Sequence, residues 1–295
     1  MTDTGHVPVS EQPLVAPSAS NGLLGVFSRR YLLRLLVRRE ISARYQGSFL
    51  GLLWSYINPL TQFFIYWFIM GKLIGMAGRA PNYAIHVFAG LIVVHFFVET
   101  FNAGTRSIVR NKALVKKMAL PREMFPVASM LVSLFHVGPQ LVILLVACLV
   151  TGWSPDLVGM TAALLALGIV MVLGTALALL FSTANVFFRD FSSAVTILTN
   201  FVRFGVPMIY PYTLVAERFE GHTELYLANP IADAVLLMQR AFWTGTTDDP
   251  AAIALVHMPD HLLTRGVIAL GGSLVVLVVA QLVFTRLENK IPERL

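Results

Sequence analysis

Two histidines four residues apart, His257 and His261, have the spacing with which one helix face holds a metal ion. Pro259 interrupts that spacing and no glutamate follows His257, so the pattern of a zinc hydrolase fails. The only Gly-Lys pair, Gly71-Lys72, is followed by Leu73 and lacks the upstream glycine of a phosphate-binding loop. The histidines are scattered, His6 among them near the start, and support no Ser/His/Asp arrangement. Cys148, the single cysteine, lies in an apolar run and offers neither a disulfide framework nor a metal site. What remains is a set of polar side chains inside apolar stretches: Glu99, His136, Gln140, Asn200 and Arg203. Each is costly in hydrocarbon and is therefore a functional candidate. Glu99 stands a turn or two from Arg106, which predicts a local ion pair. Asn200 and Arg203, at i and i+3, predict one helix face turned away from lipid. Asp190 reads equally as an ion-pair partner, of Arg189 or of a cation on another chain, and as a helix cap.

The elements that carry these residues are apolar and long. Of the 295 residues, 56% are hydrophobic and 13% charged, against about 25% charged in a soluble domain. A helix needs roughly 20 apolar residues to cross a core of about 30 Å. Six segments qualify: Phe49 to Met76, Tyr83 to Ala103, Met124 to Val150, Leu157 to Phe187, Ser192 to Tyr210, and Leu262 to Thr285. The expected fold is an all-α integral membrane protein with six transmembrane helices. Arginines and lysines gather on one set of flanks: Arg29 to Arg44, Arg106 to Arg122, Arg189, and Arg286 to Arg294. The opposite flanks hold Glu217, Glu224, Asp248, Asp249 and Asp260. The positive-inside rule then places both termini in the cytoplasm. The net charge of +6 reflects this topology signal; the basic residues form no patch on a polar domain for nucleic acid.

Four connecting pieces invite a function. Residues 1–27 are rich in Pro, Ser and Thr, lack the features of a signal peptide, and read as a disordered cytoplasmic tail. Residues 28–48 form an imperfect amphipathic helix, with Leu32, Leu35 and Leu36 on one face and Arg30, Arg34 and Arg38 on the other; Arg39 falls on the wrong side. Such a helix lies in the headgroup plane, as a topology anchor or as an entrance for an anionic lipid-linked substrate. In the cytoplasmic connection from Arg106 to Glu123, Leu114 and Met118 give a short helix an apolar face, with Lys116 and Lys117 near its end. That face either meets a partner protein or lies on the membrane surface. On the other side, Asn229-Pro230 opens a short apolar helix that Gly245 stops, a candidate re-entrant element. Aromatic residues crowd the first span (Phe63, Phe64, Tyr66, Trp67, Phe68) and the second (Phe96, Phe97, Phe101). They read as packing and lipid anchors, or as smooth, weak contacts for a sliding polymer, with Tyr56, Tyr66 and Trp67 the best candidates for the second role.

Five segments occur in one order: RYQGSFLGLLWSYINPL (Arg44–Leu60), SIVRNKALVKKMALPREMFP (Ser107–Pro126), FFRDF (Phe187–Phe191), PMIYP (Pro207–Pro211) and the Asn229-Pro230 helix. Together they resemble the membrane subunit of ABC-2-type polysaccharide exporters, the permeases for O-antigen, teichoic acid, capsule and galactan. The long tail is similar to that of the actinobacterial galactan exporters. The resemblance implies a homodimer around a channel, with two copies of an ATP-binding subunit that hold ATP and magnesium; this chain would hold no cofactor. It implies ATPase coupling through Asn111, Leu114, Val115, Lys117, Met118 and Pro121, and an interface or entrance at Arg30, Arg34, Arg38 and Arg44. Channel candidates are Tyr56, Phe63, Tyr66, Trp67, Asn200 and Arg203. Outer-gate candidates are Pro211, Tyr212, Asn229 and Pro230. The substrate would be a polysaccharide on a polyprenyl-pyrophosphate lipid, crossing the plasma membrane of a bacterium. Residues 49–287 would be the transmembrane domain and 288–295 a cytoplasmic tail. The alternatives are an ABC-2 permease for a drug or small lipid, an ion-coupled secondary transporter, and a membrane glycosyltransferase. The last two require buried carboxylates that the spans lack apart from Glu99.

Overall fold

The computed structural model describes residues 22–118, 120–219 and 221–295. Residues 1–21 of the expected tail lie outside it. The end of that tail departs from expectation: Gly22–Ser28 form α1, whose Val26 is fully buried. Among the described residues the chain is helical throughout, without a strand. After α1 come α2 (Arg30–Tyr45), α3 (Trp54–Ile65), α4 (Tyr83–Arg110), α5 (Lys112–Lys117), α6 (Met124–Val150), α7 (Leu157–Phe187) and α8 (Phe191–Gly205). The second half contains α9 (Tyr212–Arg218), α10 (Thr223–Leu227), α11 (Pro230–Phe242), α12 (Pro250–His257), α13 (Leu262–Leu287) and α14 (Ile291–Arg294). The last 3-10 turn and α14 occupy the expected 288–295 tail, and Ile291 is buried.

Four helices, α4, α6, α7 and α13, are long and apolar enough to cross a membrane. The other two expected spans are not single long α-helices. The first runs from a 3-10 turn at Gly51–Leu53 through α3 into a π-helical stretch, Tyr66–Leu73. Pro59 lies inside α3, where its missing N–H removes one rung of the helix. Gly75, at φ 84°, ends the run in a left-handed conformation that favours glycine. The fifth expected span shortens to the 15 residues of α8, about 22 Å at the helical rise. Residues 206–209 beyond it are non-helical and buried.

Helix α4 is the hub: 20 of its 28 residues are buried, and it packs on α6, α7, α8 and α11. Its crossing with α7 is built from small residues. A Cβ added at Gly104 would meet the Ala178 Cβ at 2.4 Å, and one at Gly174 would meet Thr100 Cγ2 at 3.0 Å. Apolar helices in lipid gain little from burial itself, so close backbone approach through small residues is what holds such pairs. Phe96, Phe97 and Phe101 are buried in this core.

Candidate functional site at the arginine-rich end

Helix α2 lies against α6 at the arginine-rich end of the bundle. Leu33 and Leu36 are its buried residues, and Leu32 and Val37 pack beside them on a second apolar cluster that includes Ile108, Val115, Met124, Phe125 and Phe284. The apolar face is therefore Leu32, Leu33, Leu36 and Val37. Leu35, expected on it, is 48% exposed, because the two leucines that point inward are the pair separated by three residues, one helical turn. Arg30, Arg34 and Arg38 are exposed, as their face predicts.

Arg44 departs from that trio. Its guanidinium turns in to hydrogen-bond the Glu99 carboxylate of α4, which also accepts from His136 Nδ1 of α6 at 2.8 Å. The side chains of Glu99 and His136 are 12% and 5% exposed, while that of Arg44 is 51% exposed. The Tyr45 ring meets His136 edge-on at 6.2 Å, and the Tyr45 hydroxyl bonds the Ser55 hydroxyl at the start of α3. Deeper, Gln140 Nε2 lies 3.0 Å from His95 Nδ1. The predicted Glu99–Arg106 pair is thus replaced: Arg106 bonds Thr196 of α8 instead, at 3.2 Å. Glu99 and Arg106 are seven residues apart, so both lie on one face of α4 but two turns separate them, and α2 brings a cation closer.

A second carboxylate joins α2 to the segment before α5. Glu40 pairs with Arg110 at 3.2 Å and with Arg39 at 2.9 Å, and accepts from Asn111 Nδ2 at 3.4 Å. Arg39 also donates to Asn111 Oδ1. The arginine on the wrong side of the helical wheel is therefore the one that reaches the segment before α5. Glu40, Arg44, Glu99, Arg110, Ser129 and Ser133 line a cavity of about 170 Å³ between α2, α4 and α6. Glu40 escaped the sequence reading, although it is the only acid among the arginines of this stretch.

The residues expected to couple divide into two faces. Asn111 is nearly buried, Val115 is buried and Leu114 is half-buried, all against the apolar cluster at this end. Lys117 and Met118 are exposed, and Pro121 is half-buried in the following turn. The expected exposed apolar face of Leu114 and Met118 is corrected accordingly: Leu114 turns inward, and Ala113 and Met118 stay outside.

The channel candidates also divide. Phe63 meets Phe88 of α4 edge-on at 5.1 Å, and Tyr66 and Trp67 pack on the core. Tyr56 is half-buried, whereas Phe64 and Phe68 stack on each other at the exposed surface. On α8, Val195 and Thr199 face α4. Asn200 is exposed and Arg203 half-buried, on a stripe with Ser192 and Thr196. Asn200 and Arg203 therefore share a face, which Thr196 ties to Arg106 of α4 and which stays exposed at Asn200. Asp190 makes no side-chain cap to α8.

At the opposite end Pro211 precedes α9 and is buried, and Tyr212 is half-buried. Asn229 caps α11 by accepting from the Ile231 N–H at 3.0 Å, with Pro230 in the first turn. Helix α11 is buried along nearly its whole length against α4, α7 and α13. Its end is pinned: Trp243 Nε1 donates to the Pro81 carbonyl at 2.6 Å, and Arg240 holds Asp156 at 2.7 and 3.2 Å. Burial works to raise the Asp156 carboxyl, but the Arg240 hydrogen bond and charge outweigh it and hold it below the usual carboxylate range. Neither Arg240 nor Trp243 carried a pattern that sequence reading could have caught.

Comparison with known proteins bears on this arrangement. The family model for ABC-2 type transporters matches residues 31–240. The O-antigen export system permease protein RfbA of Klebsiella pneumoniae is 29% identical over 235 residues, covering 79% of this chain and 88% of that protein. A second RfbA from the same species is 26% identical over the same shares. The RfbA of Myxococcus xanthus is 28% identical over 225 residues, 76% of this chain and 85% of the relative. The family match takes in α3 to α10 whole, all but the first residue of α2 and all but the last two of α11, and with them both carboxylate clusters: this chain belongs to the ABC-2 type transporter family.

Proposed function

We propose that this chain is the membrane-spanning permease of an ATP-driven exporter that moves a polysaccharide, carried on a polyprenyl-pyrophosphate lipid, across the inner membrane of a bacterium. The similarity to O-antigen export permeases over most of both chains supports the cargo class. The observation that carries the mechanism is the Glu40 linkage. One buried-side carboxylate ties α2, the end of α4 and Asn111 together, so a push on α5 is transmitted to α2 and, through Arg44, to Glu99 and the π-helical first span. Six crossings then arise from α4, α6, α7 and α13 together with the α3–π run and α8, with α11 re-entrant from the outer side and both termini in the cytoplasm. Two copies meet through the open faces of the first span and α8, where Asn200, Arg203 and the aromatic residues of α3 line the path. ATP and magnesium are bound by a separate subunit, present twice.

The test lies on the exposed half of the coupling segment. Lys117→Glu with Met118→Asp changes side chains on the exposed face of the segment, so stability should move by less than about 0.5 kcal/mol. Co-purification of the ATPase subunit and export should both be lost. Retained export with this pair of changes would remove α5 from the mechanism.

A further inference from the structure

A pocket at the acid-rich end shares only Pro230 with the residues given a role above. It has a volume of about 250 Å³ and lies between α10, α11 and α13. Asp233 of α11 lines it, is 3% exposed, and its Oδ1 has no hydrogen-bond partner. The nearest base does not serve it. Arg265 Nη1 and Nη2 bind the two oxygens of Glu224 at 2.8 and 2.6 Å, and its Nε donates to the Asp260 carbonyl at 3.0 Å. Glu224 is largely exposed at 76%, so the guanidinium is spent on the acid that water could satisfy. The buried acid is left facing the pocket, and two carboxylates share one positive charge.

A buried carboxylate without a donor is strongly disfavoured, and a cationic donor is what it lacks. The remaining walls are apolar: Leu227, Pro230 and Ile268. Ile268 and its neighbour Val267 are 68% and 61% exposed on α13, a helix apolar enough to span a membrane. The pocket therefore opens beside hydrocarbon. Arg265 is only three residues beyond the first residue of α13, about 4 to 5 Å along the axis, which sets the acids at headgroup depth. The two carboxylates form no group of three metal ligands among the described residues.

We propose that this pocket binds the primary ammonium of an outer-leaflet phospholipid headgroup, with Asp233 accepting from the ammonium and Ile268 and Leu227 against its carbon stem. An ammonium offers three donors on one small charge, and a charge-assisted bond to a buried acid discriminates by about tenfold.

The test uses the full chain in micelles doped with equal amounts of phosphatidylethanolamine, phosphatidylcholine and phosphatidylglycerol of identical acyl chains, with retained lipid read by native mass spectrometry. Phosphatidylethanolamine should be retained about tenfold over phosphatidylcholine, and Asp233→Asn should bring the two level. Glu224→Gln, which frees Arg265 to turn to Asp233, should weaken the preference in the same direction. Should the Asp233 variant fail to fold, the wild-type comparison and Glu224→Gln still decide. Equal retention of all three lipids, or a preference that survives Asp233→Asn, overturns the proposal. Retention of phosphatidylglycerol as strongly as phosphatidylethanolamine also overturns it, since the pocket would then take hydroxyl groups. Competition by free ethanolamine at the same concentration as the lipid would assign the site to a soluble amine instead.

Discussion

Breaking the ion pair between α2 and α4 has an asymmetric expected outcome. Arg44→Met leaves the Glu99 carboxylate, 12% exposed, with His136 as its remaining partner among the described residues. Truncating one partner of a fully buried pair costs about 3–5 kcal/mol; the His136 bond and the half-exposed Arg44 side chain bring the expectation down to about 2 kcal/mol. Glu99→Gln leaves a neutral acceptor of the same shape. Arg44, 51% exposed, can then turn to water, and the loss should be about 1 kcal/mol. The double variant removes both charges together and should cost less than the sum, with a coupling of about 1–2 kcal/mol. Urea unfolding of the four proteins in bicelles measures the cycle. Additivity within about 0.3 kcal/mol, or a larger loss from Glu99→Gln than from Arg44→Met, would refute the reasoning. Export should fall in both single variants beyond what their stability explains, because the pair is the path from α2 to α4.

Three further outcomes follow from the packing and the charges. Gly104→Ala places a methyl where the Ala178 Cβ already stands, at 2.4 Å; α4 and α7 must part, and unfolding should show a loss of about 1–3 kcal/mol, whereas Gly138→Ala, with nothing within 4 Å, should be neutral or stabilising. Asp156→Asn keeps a helix cap for α7 but loses the charge that binds Arg240, for up to about 1 kcal/mol; since the folded carboxyl is held low, this contribution is present above the ordinary carboxylate range near pH 4 and disappears as pH falls through the lower folded value, so the wild-type and Asn proteins should converge in acid unfolding. Neutralising Arg30, Arg34 and Arg38 together, all exposed, should reduce export while reporter fusions at both ends keep their orientation; inverted orientation would make these arginines topology signals alone.

The long apolar helices were legible because their composition leaves no other element open: α6 and α7 begin and end on the residues that hydropathy marks. The start of α11 was legible because Asn229 and Pro230 act locally, one as a cap and the other by its fixed φ. The irregular backbone of the first and fifth expected spans was not legible, for a physical reason. Hydropathy reports partition, whereas Pro59, the π-helical turns after Tyr66 and the non-helical segment after Gly205 are matters of backbone geometry. The site was half legible. Glu99 and His136 stood out as polar groups in apolar runs, but their partner Arg44 lies 55 residues from Glu99, and no local spacing connects them. Arg39 fits neither face of the helical wheel and Glu40 fits no motif, because the residue they both bind, Asn111, lies 72 and 71 residues further along the chain. The apolar face of α5 was misassigned because a helix of six residues has too few turns for periodicity to tell its packed side from its open one.

The central claim is that this chain carries a lipid-linked polysaccharide outward. The most direct measurement is the leaflet in which that glycan resides when the chain is depleted, read by lectin or enzymatic accessibility in spheroplasts and in inverted vesicles. The account predicts polymer accumulating on the cytoplasmic face, with surface polymer lost and then restored by the wild-type chain but not by the Lys117→Glu/Met118→Asp form. Undiminished surface polysaccharide, with no lipid-linked polymer on the cytoplasmic face, would contradict it.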